Sequence, residues 1–183
     1  MAAFTVPDAV SFEQAIALSQ SLLDQIEQGK LAETEIEPAI AALVASENGA
    51  RGFFVTYLSD DRPFADPPTA AIIAALKTSP DVVSPLLVKN LAMSTAMAIA
   101  HRRNQNEDLA QGSDRVQSRS TQLIQALPSS QLQEQAQALA ESIDTSTGAY
   151  QPFLQRWGYD PDQRQAIRRV LEQTGLLQMT NDE

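Results

Sequence analysis

The chain has 183 residues, of which 43% are hydrophobic and 20% charged, and a formal net charge of −10. This composition is that of a folded globular protein, and abundant Ala, Leu and Gln favour helices. The chain contains no cysteine and one histidine, which excludes disulfides, cysteine-based metal sites, a cysteine nucleophile and a multi-histidine metal site within one subunit. The negative charge disfavours DNA or RNA as a partner because its long-range field repels phosphate.

The N-terminal region, residues 11–48, predicts two helices. Ser11 and Gln14 have the spacing of a capping box, and apolar residues then recur on one helical face. A second helix is predicted to begin at Thr34, because Glu37 completes another capping box. With only about five residues between them, the two helices are expected to form an antiparallel hairpin.

The next segment, ENGARGFFVTYLSDDRPF at 47–64, contains three of the six phenylalanines. Residues 47–49 are expected to end the second helix, and Gly49 and Gly52 to supply turn conformations. Residues 53–58 favour an extended strand, but a short buried helix fits equally well because periodicity cannot separate the two at this length. The glycines lack the spacing of a nucleotide-binding loop. We therefore interpret 53–58 as a buried plug between the hairpin and the central helix.

The polar residues that flank this plug form the first candidate site. The two adjacent aspartates point different ways along the chain and do not make a ready acid–base pair, so a turn with capping roles is the plainer interpretation. If the chain has a ligand or partner site, part of it is expected among Asn48, Arg51, Asp60, Asp61 and Arg62.

Residues 82–127 form the central feature of the sequence. Between 86 and 100 only four residues are polar, which is typical of a helix buried around most of its circumference. The segment predicts either one long helix with a weak point near Gly112 or two helices broken near RNQNED at 103–108. The longest apolar runs fall far short of the roughly 18 residues of a transmembrane helix, and the N-terminus lacks a signal-peptide pattern.

Charge is uneven along the chain. Residues 1–50 carry eight acids and one base, whereas residues 89–119 carry five bases and three acids. The central segment is therefore the electropositive part of an acidic protein.

Five basic residues in this segment form the second candidate site. His101, Arg102 and Arg103 offer an anion or acidic-partner site, or simply mark where a buried helix emerges into solvent. Arg115 and Arg119 lie four residues apart on one helix face, which suits a phosphate or carboxylate clamp or internal salt bridges. A single histidine and the absence of cysteine do not favour His101 as an axial haem or tetrapyrrole ligand.

The C-terminal region, residues 129–175, predicts further helices. Ser130 begins one through a capping box, and Asp160, followed by Pro, caps the last. Residues 176–183 are expected to be a frayed tail.

Two stretches, LVASENGARGFFVTYLSDDRPFADPP and LLVKNLAMSTAMAIAHRRNQNEDLAQGSDRVQSR, resemble an uncharacterised protein family of cyanobacteria, with plastid relatives as a further expectation. The resemblance covers roughly residues 35–127. It implies the cytoplasm or stroma of a photosynthetic cell and an accessory role, and it carries no assigned activity or cofactor.

We therefore expect a single all-α domain over 1–183, a bundle of six to eight helices around a long, buried central helix. The expected function is that of a non-enzymatic interaction or accessory protein in the cytoplasm, with a role in photosynthetic assembly or regulation. The alternative is a small-molecule or pigment binder that uses a cleft near Phe53–Asp61 and His101–Arg103. A protein partner is expected; nucleic acid, membrane insertion, a metal and a cofactor are not, and homo-oligomerisation stays open.

Overall fold

The computed structural model describes residues 4–177. Within this range the chain forms nine α-helices, a short 3-10 turn at Pro63–Ala65 and no strand, which confirms the all-α class but exceeds the expected six to eight helices. The helices are α1 Phe12–Glu27, α2 Glu33–Val44, α3 Glu47–Ser59, α4 Ala70–Leu76, α5 Pro80–Arg103, α6 Glu107–Ala126, α7 Ser130–Thr145, α8 Gln151–Trp157 and α9 Pro161–Gln173. The chain divides into two compact units, Met1–Leu86 and Leu87–Glu183, and the division falls inside α5.

The predicted capping boxes at the first and last helices are confirmed. The Ser11 hydroxyl accepts from the Gln14 backbone N–H at 3.1 Å, and the Gln14 side chain accepts from the Ser11 N–H at 2.9 Å. Asp160 and Gln163 make the same reciprocal pair at α9, at 2.9 and 3.0 Å. Each box satisfies backbone donors that have no partner inside the helix.

Two other helix starts are displaced from their predicted residues. Helix α2 begins one residue before Thr34, because the Glu35 carboxylate accepts from the Ala32 backbone N–H at 2.9 Å. Helix α7 is capped by Ser129 instead of Ser130, since Ser129 has the extended backbone of an N-cap and its hydroxyl accepts from Leu132 N–H at 3.0 Å.

Residues 47–49 do not end a helix, so this prediction is wrong. Helix α2 already ends at Val44, and 47–49 form the first turn of α3. Ser46 is the N-cap, and its hydroxyl accepts from the Gly49 N–H at 3.1 Å. Because Ser46 caps a new helix here, the residues that were expected to end α2 instead begin α3. With α3 included, the described range has nine helices, one more than the upper limit expected.

The two glycines of α3 permit close packing and do not form turns. A Cβ on Gly52 would lie 2.8 Å from both the Ala15 carbonyl carbon and the Ile16 nitrogen, so α1 and α3 approach closely where Gly52 has no side chain. Helix α1 packs most extensively on α3, and α2 on α4. The expected α1–α2 hairpin is therefore not the main packing relationship in the N-terminal unit.

The predicted plug is one face of helix α3. Phe53, Phe54 and Tyr57 are at most 1% exposed, whereas Val55 is 47% exposed. The Phe53 and Tyr57 rings stack with centroids 5.3 Å apart, and the Tyr57 hydroxyl donates to the Ala65 carbonyl at 2.9 Å. The 53–58 segment is thus helical, with one apolar face buried and the other open.

The sequence allowed either one long helix or two helices over residues 82–127, and the structure has two. The break falls at 104–106, where Gln105 has a positive φ of 56°, within the RNQNED stretch. Asn106 then caps α6 by accepting from the Leu109 N–H at 3.1 Å. Gly112 lies inside α6 and does not interrupt it.

Helix α5 is the central, buried helix. Contrary to the sequence-based expectation, it is the one helix in the described range that is long and apolar enough to cross a membrane. Core helices of globular proteins share these properties, and 56% of the relevant window is buried. Length and composition are therefore weak support for a membrane span.

The second unit contains the remainder of α5 with α6, α7, α8 and α9. Helix α9 packs on α7, and it is joined to α5 by a buried hydrogen bond from the Gln163 amide to the Ala96 carbonyl at 3.1 Å. The predicted tail lies mostly outside the described residues, at 178–183.

Candidate functional site

A groove of about 570 Å³ runs between α1 and the C-terminal half of α3. We call it the α1/α3 groove. One wall is formed by three α1 residues, Ile16, Gln20 and Asp24. They are four residues apart and therefore lie on the same face of the helix. The other wall is α3 with the turn that follows it, from Val55 to Arg62. Three residues of the first predicted site, at 60–62, therefore line a real concavity.

Arg62 organises the acidic end of this groove. One guanidinium nitrogen of Arg62 binds Asp24 at 2.7 Å and Glu27 at 2.8 Å, and another binds Asp60 at 2.6 Å. Hydrogen bonds to Asp60 first, and then to Glu27, raise the pKa of Arg62 above its ordinary value. Asp61 is exposed beside them. Three carboxylates thus bind one guanidinium, and Asp61 adds a fourth acid to the groove lining, which leaves three net negative charges.

The other end of the groove is apolar. Val55 is 47% exposed there, and Ile16 lies opposite on α1. The hydroxyls between the two ends are already occupied, because Thr56 donates to the Gly52 carbonyl at 2.8 Å and Ser59 donates to the Val55 carbonyl at 2.6 Å. The polar groups that the groove offers are therefore mainly its carboxylates, together with the Gln20 amide.

The other two residues of the first predicted site lie outside this groove, near the start of α3. The Asn48 amide donates to the Val10 carbonyl at 3.4 Å. The Arg51 guanidinium stacks over the Phe12 ring, 4.9 Å from its centroid. Both side chains thus help to hold the chain around the first turn of α1.

The residues of the second predicted site are largely paired within their own unit. Arg102 binds Asp114 at 2.5 Å and Glu107 at 3.1 Å, and these bonds, to Asp114 first, raise the pKa of Arg102. His101 is half-buried one residue earlier. Because both acids belong to α6, Arg102 fixes the short connection between α5 and α6.

Arg103 binds two acids at the start of α9. Its guanidinium contacts the Asp160 carboxylate and, at 3.0 Å, Asp162. The bond from Arg103, followed by the backbone N–H of Gln163, lowers the pKa of Asp160 below its usual range. Arg103 is thus an internal ion-pair partner.

Arg115 and Arg119 do not share an exposed face. Arg119 is 3% exposed, whereas Arg115 is half-buried. Only Arg115 of this pair is accessible, so the two side chains do not form the exposed anion clamp that their spacing suggests.

A second groove, of about 490 Å³, lies between α5 and α9 and is called the α5/α9 groove. Its walls include Thr95, Ile99 and Arg103 on α5, at a spacing of four residues, and Arg169 on α9.

Sequence reasoning missed Arg169 because it is one of four arginines after residue 150 with no motif around it. It also missed Asp24, because nothing in the sequence pairs α1 with α3. Among the described residues, no group of three or more acidic, histidine or cysteine side chains is placed to hold a metal ion.

The fold and the two grooves define an all-α protein with an acidic concavity in its first unit and a mixed polar and apolar concavity in its second. The chain belongs to the family described as "Uncharacterised conserved protein UCP020893", whose model matches residues 11–174. No curated protein and no solved structure matches the chain. The family match confirms an uncharacterised family and is longer than the expected 35–127, so it includes the terminal helices.

Proposed function

We propose that this chain is a non-enzymatic accessory protein that binds a basic, amphipathic segment of a protein partner in the α1/α3 groove. The observation that carries the proposal is the order of side chains along the groove. Exposed Val55 lies at one end, and the Asp24, Asp60 and Asp61 carboxylates lie at the other. A segment with an apolar anchor followed by cations is complementary to that order.

The charge of the whole first unit supports a basic partner. Residues 1–86 carry twelve acids and four bases, a net charge of −8, which is most of the chain's −10. A field of that sign speeds the encounter with a cationic segment and repels an acidic one. The association is therefore expected to weaken as salt rises, because exposed charges are screened.

The length of the groove sets the register of the partner. Ile16 and Asp24 are eight residues apart on α1, or about 12 Å along a helix. A partner helix would thus need an apolar side chain against Val55 and its cations about two turns away. Arg62 already neutralises one of the carboxylates, so the remaining acids define the preferred position of the partner's cations.

A designed helical peptide tests this proposal. The peptide has 14 residues, with leucines on one face of its first two turns and arginines on the same face of its last two. We expect saturable binding to the full chain by calorimetry, and at least a tenfold loss of affinity in Val55→Glu and in the double variant Asp24→Asn with Asp61→Asn. A peptide of equal composition but scrambled order is the ligand control.

The control variant is Glu134→Gln, which removes one carboxylate from α7 in the other unit and is expected to leave binding unchanged. Equal affinity for the ordered and scrambled peptides would contradict the proposal, as would binding that neither Val55→Glu nor the aspartate variants weaken. Thermal unfolding of every variant separates a lost contact from a lost fold.

A role in photosynthetic assembly or regulation, in the cytoplasm or stroma, is the finer part of this proposal. It is supported by the resemblance to cyanobacterial sequences at 43–68 and 86–119. The distribution of family members tests it: restriction to photosynthetic organisms is expected, and frequent members in non-photosynthetic lineages would contradict it.

Binding of a small molecule is the second candidate function. The α5/α9 groove favours it, because its volume of about 490 Å³ lies within the range of ligand pockets. The sequence-based expectation was a cleft near Phe53–Asp61 and His101–Arg103. The α5/α9 groove lies elsewhere, because every residue that lines it belongs to the second unit.

A further inference from the structure

We propose that the α5/α9 groove binds a small, hydroxylated anion, with the anionic group on the Arg169 guanidinium. This inference rests on the second candidate function and is independent of partner docking in the α1/α3 groove. Four features of the described residues carry it: one arginine without an acidic partner, three side-chain amides without hydrogen bonds, an apolar floor and a nearly neutral surrounding unit.

The first feature is the contrast between two neighbouring arginines. Arg168 binds Asp144 at 3.1 Å and Glu172 at 2.8 Å. Arg169 is exposed and lines the groove, and no carboxylate of the described residues forms an ion pair with it. Glu172, the acid nearest to Arg169 along α9, is engaged by Arg168. Arg169 thus retains its full set of donors for a ligand carboxylate or phosphate.

The opposite end of the groove cannot serve the same purpose. Arg103 also lines it, but its guanidinium is held by Asp160 and Asp162. Asp162 and Arg169 are seven residues apart on α9, or about 10 Å along the helix. An incoming anion is therefore repelled at the Asp162 end and attracted at Arg169, which fixes its orientation.

The amide side chains around Arg169 specify the body of the ligand. Gln117, Gln165 and Gln173 line the groove, and the described residues give their side chains no hydrogen-bond partner. Each amide can donate and accept, which suits ligand hydroxyl groups. Thr95 contributes less, because its hydroxyl already donates to the Leu91 carbonyl at 2.7 Å.

The floor of the groove is apolar. It is formed by Ile99, Ala166 and Val170, of which Val170 is 5% exposed. An apolar floor beneath convergent polar groups is the usual composition of a small-molecule site, in which the polar groups provide specificity. The carbon skeleton of a sugar acid or a sugar phosphate can lie on such a floor while its hydroxyls face the amides.

The charge of the second unit permits an anion. Residues 87–183 carry eleven acids and nine bases, a net charge of −2, in contrast to the strongly negative first unit. The long-range repulsion of a small anion is therefore weak on this side.

Calorimetric titration of the full chain tests the inference with four probes: gluconate, glucose 6-phosphate, inorganic phosphate and uncharged glucose. We expect saturable binding of gluconate or glucose 6-phosphate, with the stronger of the two indicating a carboxylate or a phosphate as the preferred group. Inorganic phosphate should bind more weakly because it leaves the amides unpaired, and glucose should not bind at millimolar concentration.

Arg169→Gln should weaken the preferred anion at least tenfold, which is the usual effect of removing a charged hydrogen-bond donor. Arg156→Gln is the matched control, because it removes the same charge from an exposed position on α8 outside the groove and should leave affinity unchanged. Side-chain amide signals of Gln117, Gln165 and Gln173 should shift in NMR spectra on titration.

Absence of saturable binding by both sugar anions would overturn the inference, and so would affinity that is unchanged in Arg169→Gln. Glucose that binds as tightly as the anions would overturn the anion assignment but retain a small-molecule groove. None of these three outcomes bears on the α1/α3 groove, whose Val55→Glu variant should bind the sugar anions normally.

Discussion

Arg103, in the last turn of α5, binds the carboxylate of Asp160, the residue that caps α9. The two Asp160 oxygens have separate roles: one accepts from Arg103, and the other accepts from the Gln163 backbone N–H at 2.9 Å. One carboxylate therefore both begins α9 and joins it to α5. The same start of α9 places Gln163 for its buried bond to the Ala96 carbonyl.

Replacing Arg103 by Gln should destabilise the protein at neutral pH and not at low pH. Arg103 is the main cause of the lowered pKa of Asp160. A carboxyl with a lowered folded-state pKa stabilises the fold above its unfolded pKa of about 3.9, and that stabilisation is lost as pH falls through the folded value. We expect a small lowering of the melting temperature at pH 7, because the ion pair is partly exposed and screened by solvent, and the difference should shrink below about pH 4.

The pKa of Asp160, followed by NMR of its carboxyl carbon, should rise toward the ordinary value in Arg103→Gln. Arg156→Gln, which removes an equal charge from α8, should leave it unchanged. An unaltered Asp160 titration in Arg103→Gln would contradict the importance of this ion pair.

Gly52→Ala should disrupt the packing of α1 on α3. The added Cβ would lie 2.8 Å from the Ala15 carbonyl carbon and the Ile16 nitrogen, and overpacking of this kind costs about 1–3 kcal/mol. The matched control is Gly112→Ala in α6, where a Cβ meets nothing within 4 Å. That change should stabilise the protein by up to about 1 kcal/mol, because Ala is the better helix former. Urea unfolding measures both, and effects of the same sign would contradict the assigned role of Gly52.

The helical class and several boundaries were predictable because their signals are local. Ser11 with Gln14, and Asp160 with its following proline, act within four residues of sequence, and local hydrogen bonding is decisive there. The start of α3 was missed because 47–49 look like a helix stop, while Ser46 accepts from the N–H of Gly49 and begins a new helix.

The grooves were less predictable because they depend on which helices pack together. The sequence indicated Asp60, Asp61 and Arg62 from composition, but Asp24 and Glu27 join them only because α1 packs on α3. Arg169 carries no distinguishing pattern, and its availability depends on Arg168 occupying Glu172. Which of two neighbouring arginines pairs with Glu172 is decided by the packed structure and leaves no signal in the sequence.

Phe53→Ala and Val55→Ala should differ sharply although they lie two residues apart on α3. Phe53 is 0% exposed and stacks on Tyr57, so its truncation leaves a cavity and should cost about 3–5 kcal/mol. Val55 is 47% exposed, so its truncation should change the free energy of unfolding by less than about 0.5 kcal/mol. Similar costs in urea unfolding would contradict the assignment of a buried and an open face to α3.

Tyr150 and Tyr159 should respond differently to removal of their hydroxyls. The Tyr150 hydroxyl donates to the Gln135 side chain at 2.5 Å, so Tyr150→Phe should cost about 1 kcal/mol at pH 7. The Tyr159 hydroxyl is buried with no hydrogen-bond partner among the described residues, so Tyr159→Phe should be neutral or stabilising. A larger cost for Tyr159→Phe than for Tyr150→Phe would contradict these environments.

The same two tyrosines should make the protein less stable at high pH. Burial raises the pKa of each phenol from 10.0 to about 12. Between those values the unfolded chain loses phenolic protons that the folded chain retains, so the free energy of unfolding falls as pH rises through that interval. Denaturant unfolding at pH 9 and pH 11 should show this fall, and Tyr159→Phe should reduce it. In the folded protein, the phenolate absorbance at 295 nm contributed by Tyr150 and Tyr159 should rise near pH 12, and ionisation of these two residues near pH 10 without unfolding would contradict the prediction.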